Sequence, residues 1–343
     1  MSTPAPSPTV WTGRHDGDGP EHARWHQKIQ VLGAGPKTAT APSSPSAPPA
    51  GAAAEHVTLL GFCSDEGVRR NRGRVGAAQG PEALRAALAP MALHGALATD
   101  VVQLRDLGDA QTVGENLEGG QEQAAALITR ALDAPGNRLT VVLGGGHETA
   151  WASYLGLIGS GRAVAAGKTW GVLNLDAHFD LREEPHPTSG TPFMQMAAAE
   201  RAAGRDLHYA VLGIAEPSNT PVLFDRAREL GVRWMTDEQC FEQGLAGVRR
   251  FVEEFAASVD VLYLTIDLDV LPAAVAPGVS APAALGLPLG LISAAARAAA
   301  CSGKLALLDV VELNPLLDQD ARTARAGARL IDDVVRHLVG AEA

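Results

Sequence analysis

From residue 56 onward the chain alternates short apolar runs rich in β-branched residues with longer Ala/Leu-rich stretches. The runs fall at 57–62, 101–104, 139–143, 171–175, 209–214, 261–266 and 305–311, each of strand length. Between them, 81–88, 121–132, 192–203, 221–230, 245–255 and 289–300 read as helices. Several open with Pro or a small polar residue, as helix N-termini prefer. Strand and helix in alternation predict βαβ units, hence an α/β fold with a mainly parallel central sheet. Polar tails follow four of the runs, at 144–148, 176–182, 267–269 and 312–315. Parallel sheets bind ligands beyond the carboxyl ends of their strands, so these tails point to one place.

Upstream of residue 55 the pattern is lost. Residues 33–54 are almost wholly Ala, Pro, Ser, Gly and Thr. Such a stretch buries too little apolar surface to offset its ordering entropy and is expected to be a flexible linker. Residues 10–32 carry Trp11, Trp25, His26 and Ile29, enough to dock onto a core as an arm. Residues 1–9 are expected to be disordered, and 55–343 to form one large domain.

Charge and cysteine content narrow the classes. Lys and Arg total 28 against 39 Asp and Glu, a net charge of −11. No basic stripe is present to displace counterions, so neither a nucleic acid nor an anionic membrane is an expected partner. The cysteines, Cys63, Cys240 and Cys301, are odd in number and form no C-x-x-C. That argues against a disulfide framework or zinc knuckle and for a reducing, cytoplasmic location. No secretory signal is visible at the start of the chain. The most apolar long stretch, 273–300, is broken by Pro277, Pro282 and Pro288 and cannot be a membrane span.

The chemistry lies in three motifs. In Asp176-Ala177-His178-Phe179-Asp180 an extended chain would face Asp176, His178 and Asp180 to one side. Asp267-Leu268-Asp269 repeats the device after a buried run. Gly144-Gly145-Gly146-His147-Glu148 lets the backbone turn tightly near a ligand. Singly, an Asp-x-Asp is ordinarily a solvated turn or a cap, and a glycine-rich turn is common. Together they bring four carboxylates to one cleft, where they repel unless some stay protonated or cations intervene. Two divalent cations would balance the charge, and the oxygen-rich donor set favours Mn²⁺ over Zn²⁺. A metal pair about 3.5–4 Å apart can hold a bridging hydroxide, a nucleophile at neutral pH.

At these residues the sequence resembles the ureohydrolase superfamily of arginases, agmatinases and formimidoylglutamases. The likeness runs from Val10 to about Leu338, with 33–54 as an insertion. It also includes Ser-Gly-Thr-Pro-Phe at 189–193 and Glu-Leu-Asn-Pro at 312–315. The resemblance implies an arginase-like three-layer α/β/α fold, with 55–343 as the catalytic domain and two Mn²⁺ ions per subunit. It implies His147, Asp176, Asp180 and Asp267 as ligands of one ion, and Asp176, His178, Asp267 and Asp269 as ligands of the other. It places Glu312 as the substrate-facing carboxylate and Asp180 beside the nucleophile. It also suggests a homo-oligomer, trimeric or hexameric.

The segment 187–193 separates the branches. Agmatinases carry a His where Ser189 stands, and arginases carry one near the position of Phe193; neither His is present here. The sequence is similar to the formimidoylglutamase branch there, at 11–14, at 24–27 and at 61–71. That branch hydrolyses N-formimidoyl-L-glutamate to L-glutamate and formamide in histidine degradation. Such a diacid substrate calls for cations, and Arg182, Arg69, Arg70 and Arg74 are the candidates, each equally able to be a surface or packing residue. Ser189 is a further substrate-binding candidate. His186 is a candidate proton carrier, as is Asp180. Two alternatives stay open: a ureohydrolase acting on a guanidino compound (agmatinase-, guanidinobutyrase- or arginase-like), and a metal-stabilised binding protein without turnover.

Overall fold

A computed structural model describes residues 10–32 and 53–340. The expected disorder at 1–9 and all but the last two residues of the expected linker at 33–54 lie outside the described residues. Nine strands form one sheet among the described residues: β1 (Ile29–Val31), β2 (His56–Cys63), β3 (Gln103–Gln111), β4 (Asn137–Leu143), β5 (Trp170–Leu175), β6 (Tyr209–Ile214), β7 (Arg233–Thr236), β8 (Val261–Asp267) and β9 (Leu305–Val311). Their spatial order is β1-β3-β2-β4-β9-β8-β5-β6-β7, and every pairing is parallel.

Successive strand residues face opposite sides, so the buried strands feed two separate cores. Leu59, Val141, Leu173, Leu264 and Leu308 pack on one face, against helices Gly80–Leu88, Asp237–Ala257, Leu289–Ala300 and Arg322–Gly340. Leu60, Val142, Val172, Tyr263 and Leu307 pack on the other, against helices Leu117–Asp133, Thr149–Gly159, Pro192–Ala202 and Pro221–Glu229. The result is the expected three-layer α/β/α arrangement. No helix among the described residues is long and apolar enough to cross a membrane.

Two differences from the sequence reading stand out. The strand read at 101–104 is β3 and runs to Gln111, with alternate positions buried through Ala110. Its inward Asp106 is wholly buried yet accepts hydrogen bonds from Arg85 and Trp11, so an acid takes a core position on this strand. The upstream arm contributes β1, which pairs with β3 at the sheet edge. Trp25 is fully buried, and its indole donates to Asp332 of the last helix at 2.9 Å.

The four strands with polar tails, β4, β9, β8 and β5, are neighbours in that order at the centre of the sheet. Residues distant in the chain therefore meet over their carboxyl ends.

Candidate metal centre and active site

The glycines after β4 have a steric reason. A Cβ on Gly145 would run into the Ser64 backbone, so only glycine lets the turn pass. Gly146 N donates to Ser64 O at 3.0 Å, and Glu312 N donates to Gly145 O at 2.7 Å, joining the ends of β2, β4 and β9. His147 follows, almost fully buried. Its backbone N–H donates to Glu312 Oε1 at 2.8 Å and its Nε2 lies 3.1 Å from Thr265 Oγ1. That leaves Nδ1 facing inward.

Three carboxylate oxygens surround that nitrogen: Asp180 Oδ2 at 2.9 Å, and Asp176 Oδ2 and Asp267 Oδ2 at 3.2 Å each. None has hydrogen-bond geometry with it, so Nδ1 is buried without a partner. Beside this group, His178 Nδ1 lies 3.2 Å from Asp269 Oδ2 and 3.5 Å from Asp176 Oδ1. Asp269 Oδ1 is also buried without a partner. Ligand atoms of His147, Asp176 and Asp180 come within 4.8 Å of one another, as do those of Asp176, His178 and Asp269. All six expected ligand residues thus converge, and Asp176 belongs to both groups.

The convergence arises by a different local geometry from the extended chain expected at 176–180. His178 N turns back to donate to Asp176 Oδ1 at 2.7 Å, and Asp180 takes a left-handed φ of 47°. Asp269 N likewise donates to Asp267 Oδ1 at 2.8 Å, which starts the short 3₁₀ turn Leu268–Val270. Glu312 also has a left-handed φ, 67°. Non-glycine residues rarely adopt that region, and here two of them aim carboxylates into one cleft.

The electrostatics describe a site short of positive charge. Burial pushes Asp267 well above the ordinary carboxylate range, and repulsion from Asp269 and Asp176 adds to it. Burial likewise raises Asp269. Burial opposes the charged form of His147, yet the surrounding carboxylates of Asp176, Asp180 and Asp267 outweigh it and hold the imidazole well above its usual value. His178 is raised by Asp269 and Asp176 against the same penalty. Protein atoms alone therefore draw protons into the cluster. Two histidines, four aspartates, an orphaned imidazole nitrogen and an orphaned carboxylate oxygen fit divalent cations.

Glu312 lies at the cluster's edge, pushed up to about 8 by burial, with Glu148 adding repulsion. The cleft itself is a cavity of about 110 Å³ lined by His147, His178, Asp180, Asp267, Asp269 and Glu312. Val68, Asn71, Gly73, Arg182, Ser189, Ser280 and Ala281 complete its wall.

The substrate-binding candidates separate here. Arg182 lines the cleft, and its guanidinium makes no hydrogen bond or ion pair among the described residues. Ser189 lines it too, accepting from Asn71 Nδ2 at 3.1 Å. Arg69 and Arg70 instead pair with Glu66 outside the cleft lining, and Arg70 also with Glu118. The Arg74 guanidinium donates to the carbonyls of Ser280 and Val279, so it ties two loops together rather than facing the cavity. His186 is exposed and outside the lining. Sequence reasoning did not single out Asn71, Ser280 or Ala281 as wall residues. Asn71 falls within the motif at 61–71, whereas nothing near 280 marks that loop.

The chain is similar to known proteins in sequence and in fold. The model of the arginase family matches residues 55–336. The formimidoylglutamase of Nocardia farcinica is 52% identical, with 98% of each chain covered. That of Rhodococcus opacus is 49% identical, over 96% of this chain and 95% of the relative. Among solved structures, the formimidoylglutamase of Bacillus subtilis superposes with a TM-score of 0.73 at 23% identity, covering 86% of this chain and 90% of that one. The Trypanosoma cruzi formiminoglutamase with Mn²⁺ gives 0.70 at 24%, covering 82% and 92%. At those identities the two structures establish the fold. The family match and the curated relatives go further: the chain belongs to the arginase family.

Proposed function

We propose that this chain hydrolyses N-formimidoyl-L-glutamate to L-glutamate and formamide, a step of histidine degradation, with two Mn²⁺ ions per subunit. The observation that carries the reading is the six-residue cluster beside a cleft that both Glu312 and Arg182 line. Identity of about one half to curated formimidoylglutamases supports the substrate. The Mn²⁺-bound structure of the Trypanosoma cruzi relative supports the metal.

His147, Asp176, Asp180 and Asp267 would hold one ion, and Asp176, His178, Asp267 and Asp269 the other. The bound ions supply activation of water at neutral pH and polarisation of the formimino group. The chain's own residues do the rest. Glu312 accepts the N–H of the planar cationic formimino group and fixes its carbon over the cluster. Arg182 takes a substrate carboxylate through two parallel hydrogen bonds. Ser189 and Asn71 offer further polar contacts to the glutamate part. A water oxygen bonds to the formimino carbon. The bond from that carbon to the glutamate nitrogen then breaks, and the nitrogen leaves with a proton. Asp180, on the cleft wall and 2.9 Å from His147 Nδ1, would carry that proton. The three cysteines are free, which fits a cytoplasmic enzyme. We place it there as a homo-oligomer.

The test is a substrate panel on purified protein, stripped and then reloaded with Mn²⁺. Formimidoylglutamate should be turned over far faster than arginine, agmatine or 4-guanidinobutyrate, with two manganese per subunit by elemental analysis. Preference for a guanidino compound overturns the substrate. Full activity in metal-free protein overturns the metal chemistry.

A further inference from the structure

The ligand loop 176–180 joins β5 to the cleft and ends in the left-handed Asp180. Four of its groups are held by side chains with no place in the cluster. Asn174 Nδ2 donates to Asp176 Oδ2 at 2.8 Å. Tyr209 OH donates to Phe179 O at 2.9 Å and accepts from Asn174 Nδ2 at 3.2 Å. Asn219 accepts from Phe179 N at 3.0 Å and donates to Ala177 O at 2.9 Å. Asn174 and Tyr209 are almost fully buried and Asn219 is 6% exposed.

Each contact has a positional consequence. Asp176 Oδ1 is fixed by His178 N and Oδ2 by Asn174, so neither oxygen can rotate away from the histidine nitrogen it faces. Asn174 is turned so that its own Oδ1 is buried without a partner. An amide that leaves its oxygen bare is oriented for its donor. Tyr209 is braced in turn: its ring stacks on Phe193 with centroids 4.4 Å apart, and Phe193 presents against the His147 ring at 5.4 Å. Residues 176–179 are therefore pinned from two strands and a loop, and the strained Asp180 follows directly.

We propose that Asn174, Tyr209 and Asn219 form a polar clamp that positions loop 176–180, so that Asp176 and Asp180 present their oxygens before any ion arrives. These are positioning residues, and the proposal rests on the metal-site reading above. It explains why polar side chains stand at three buried points where apolar residues would pack.

The experiment compares full-length wild type with Tyr209→Phe, which keeps the stacked ring, and with Asn174→Leu and Asn174→Ser. Manganese affinity is read by competition with a chelating dye and by elemental analysis after dialysis. Melting is recorded on metal-stripped protein, and kcat and KM at saturating Mn²⁺. The expected result is manganese affinity weaker by about 10–100-fold in Tyr209→Phe and Asn174→Leu. Melting of the stripped protein should barely move, and KM should stay near wild type. Asn174→Ser, which keeps a donor, should retain more manganese than Asn174→Leu. Wild-type affinity in both Tyr209→Phe and Asn174→Leu overturns the clamp. So does a loss of affinity fully matched by a loss of stripped-protein stability. A wild-type protein that takes up no manganese overturns the proposed function and the clamp with it.

Discussion

Two regions of this molecule bury acids against the same sheet, and they differ in how those acids are satisfied. At the β2–β3 side, Asp106 is wholly buried, and both of its oxygens are used. Oδ2 accepts from Arg85 Nε and from Trp11 Nε1 at 2.8 Å each. Oδ1 accepts from Arg85 Nη2 and Gly108 N at 3.0 Å each. Arg85 also meets Asp109 at 2.7 Å, and these acids hold its guanidinium charged against the burial penalty. Over β4, β9, β8 and β5 the acids outnumber the cations, and His147 Nδ1 and Asp269 Oδ1 remain unbonded. Asp106 is satisfied within the chain, with Asp109 leaving one oxygen to the ion pair alone, whereas the cluster gathers four acids around two imidazoles. A buried carboxylate is thus informative through its partners rather than its burial.

That contrast can be broken by mutation, and the largest effect falls on the cluster. Asp267→Ala should abolish turnover and lower manganese content below two per subunit by elemental analysis. Asp269→Ala should leave more metal bound, because the resemblance assigns it one ion rather than two. Equal, full occupancy in both variants would contradict the assignment. Arg85→Ala should act in the opposite sense. It strands Asp106 as an unpaired buried charge and should cost about 3–5 kcal/mol in urea unfolding. Manganese per folded subunit should remain at wild type, and a marked loss of metal would merge the two regions.

A smaller effect is expected at the cleft rim. Arg182→Ala should remove a charge-assisted contact of about 1.5–3 kcal/mol, raising KM for formimidoylglutamate roughly ten- to a hundredfold. Arg182→Lys should recover part of it, since an ammonium lacks the planar fork. Wild-type kinetics in Arg182→Ala would send the carboxylate to Asn71 and Ser189. The smallest effect is expected from Trp11→Phe, which keeps an aromatic ring and loses one hydrogen bond to Asp106. It should cost about 1.5 kcal/mol in the same unfolding assay, with unchanged kcat and KM. A kinetic change would show that the arm reaches the site.

The same contrast sets what could be read from sequence. The central strands were legible because β4, β5, β8 and β9 are near-continuous apolar runs, as strands covered on both faces must be. β3 was read short because Asp106 breaks its pattern, and its partners Arg85 and Trp11 lie 21 and 95 residues away. Helix Arg322–Gly340 was not marked for a similar reason. Asp332 and Asp333 interrupt its apolar face and are satisfied by Trp25, Ser293 and Arg336. β1 and β7 are three and four residues long at the sheet edges, too short to show a period. The six clustered residues were legible because His and Asp at strand ends recur at fixed spacing. Which arginine reaches the cleft was not, because that depends on loops whose ends are fixed by distant carbonyls, as with Arg74 and Ser280.

The position of β9 has a consequence for how the molecule comes into being. It lies between β4 and β8, the one strand among the described residues that joins β1-β3-β2-β4 to β8-β5-β6-β7 in the sheet. Its residues, Leu305–Val311, come late in the chain. Until they are in place, each half ends in a bare strand edge, the kind of surface on which partly folded chains associate. One half carries His147 and the other carries the four clustered aspartates and His178, while Glu312 directly follows the joining strand. Until the sheet is closed, therefore, the six clustered residues and Glu312 are not brought together.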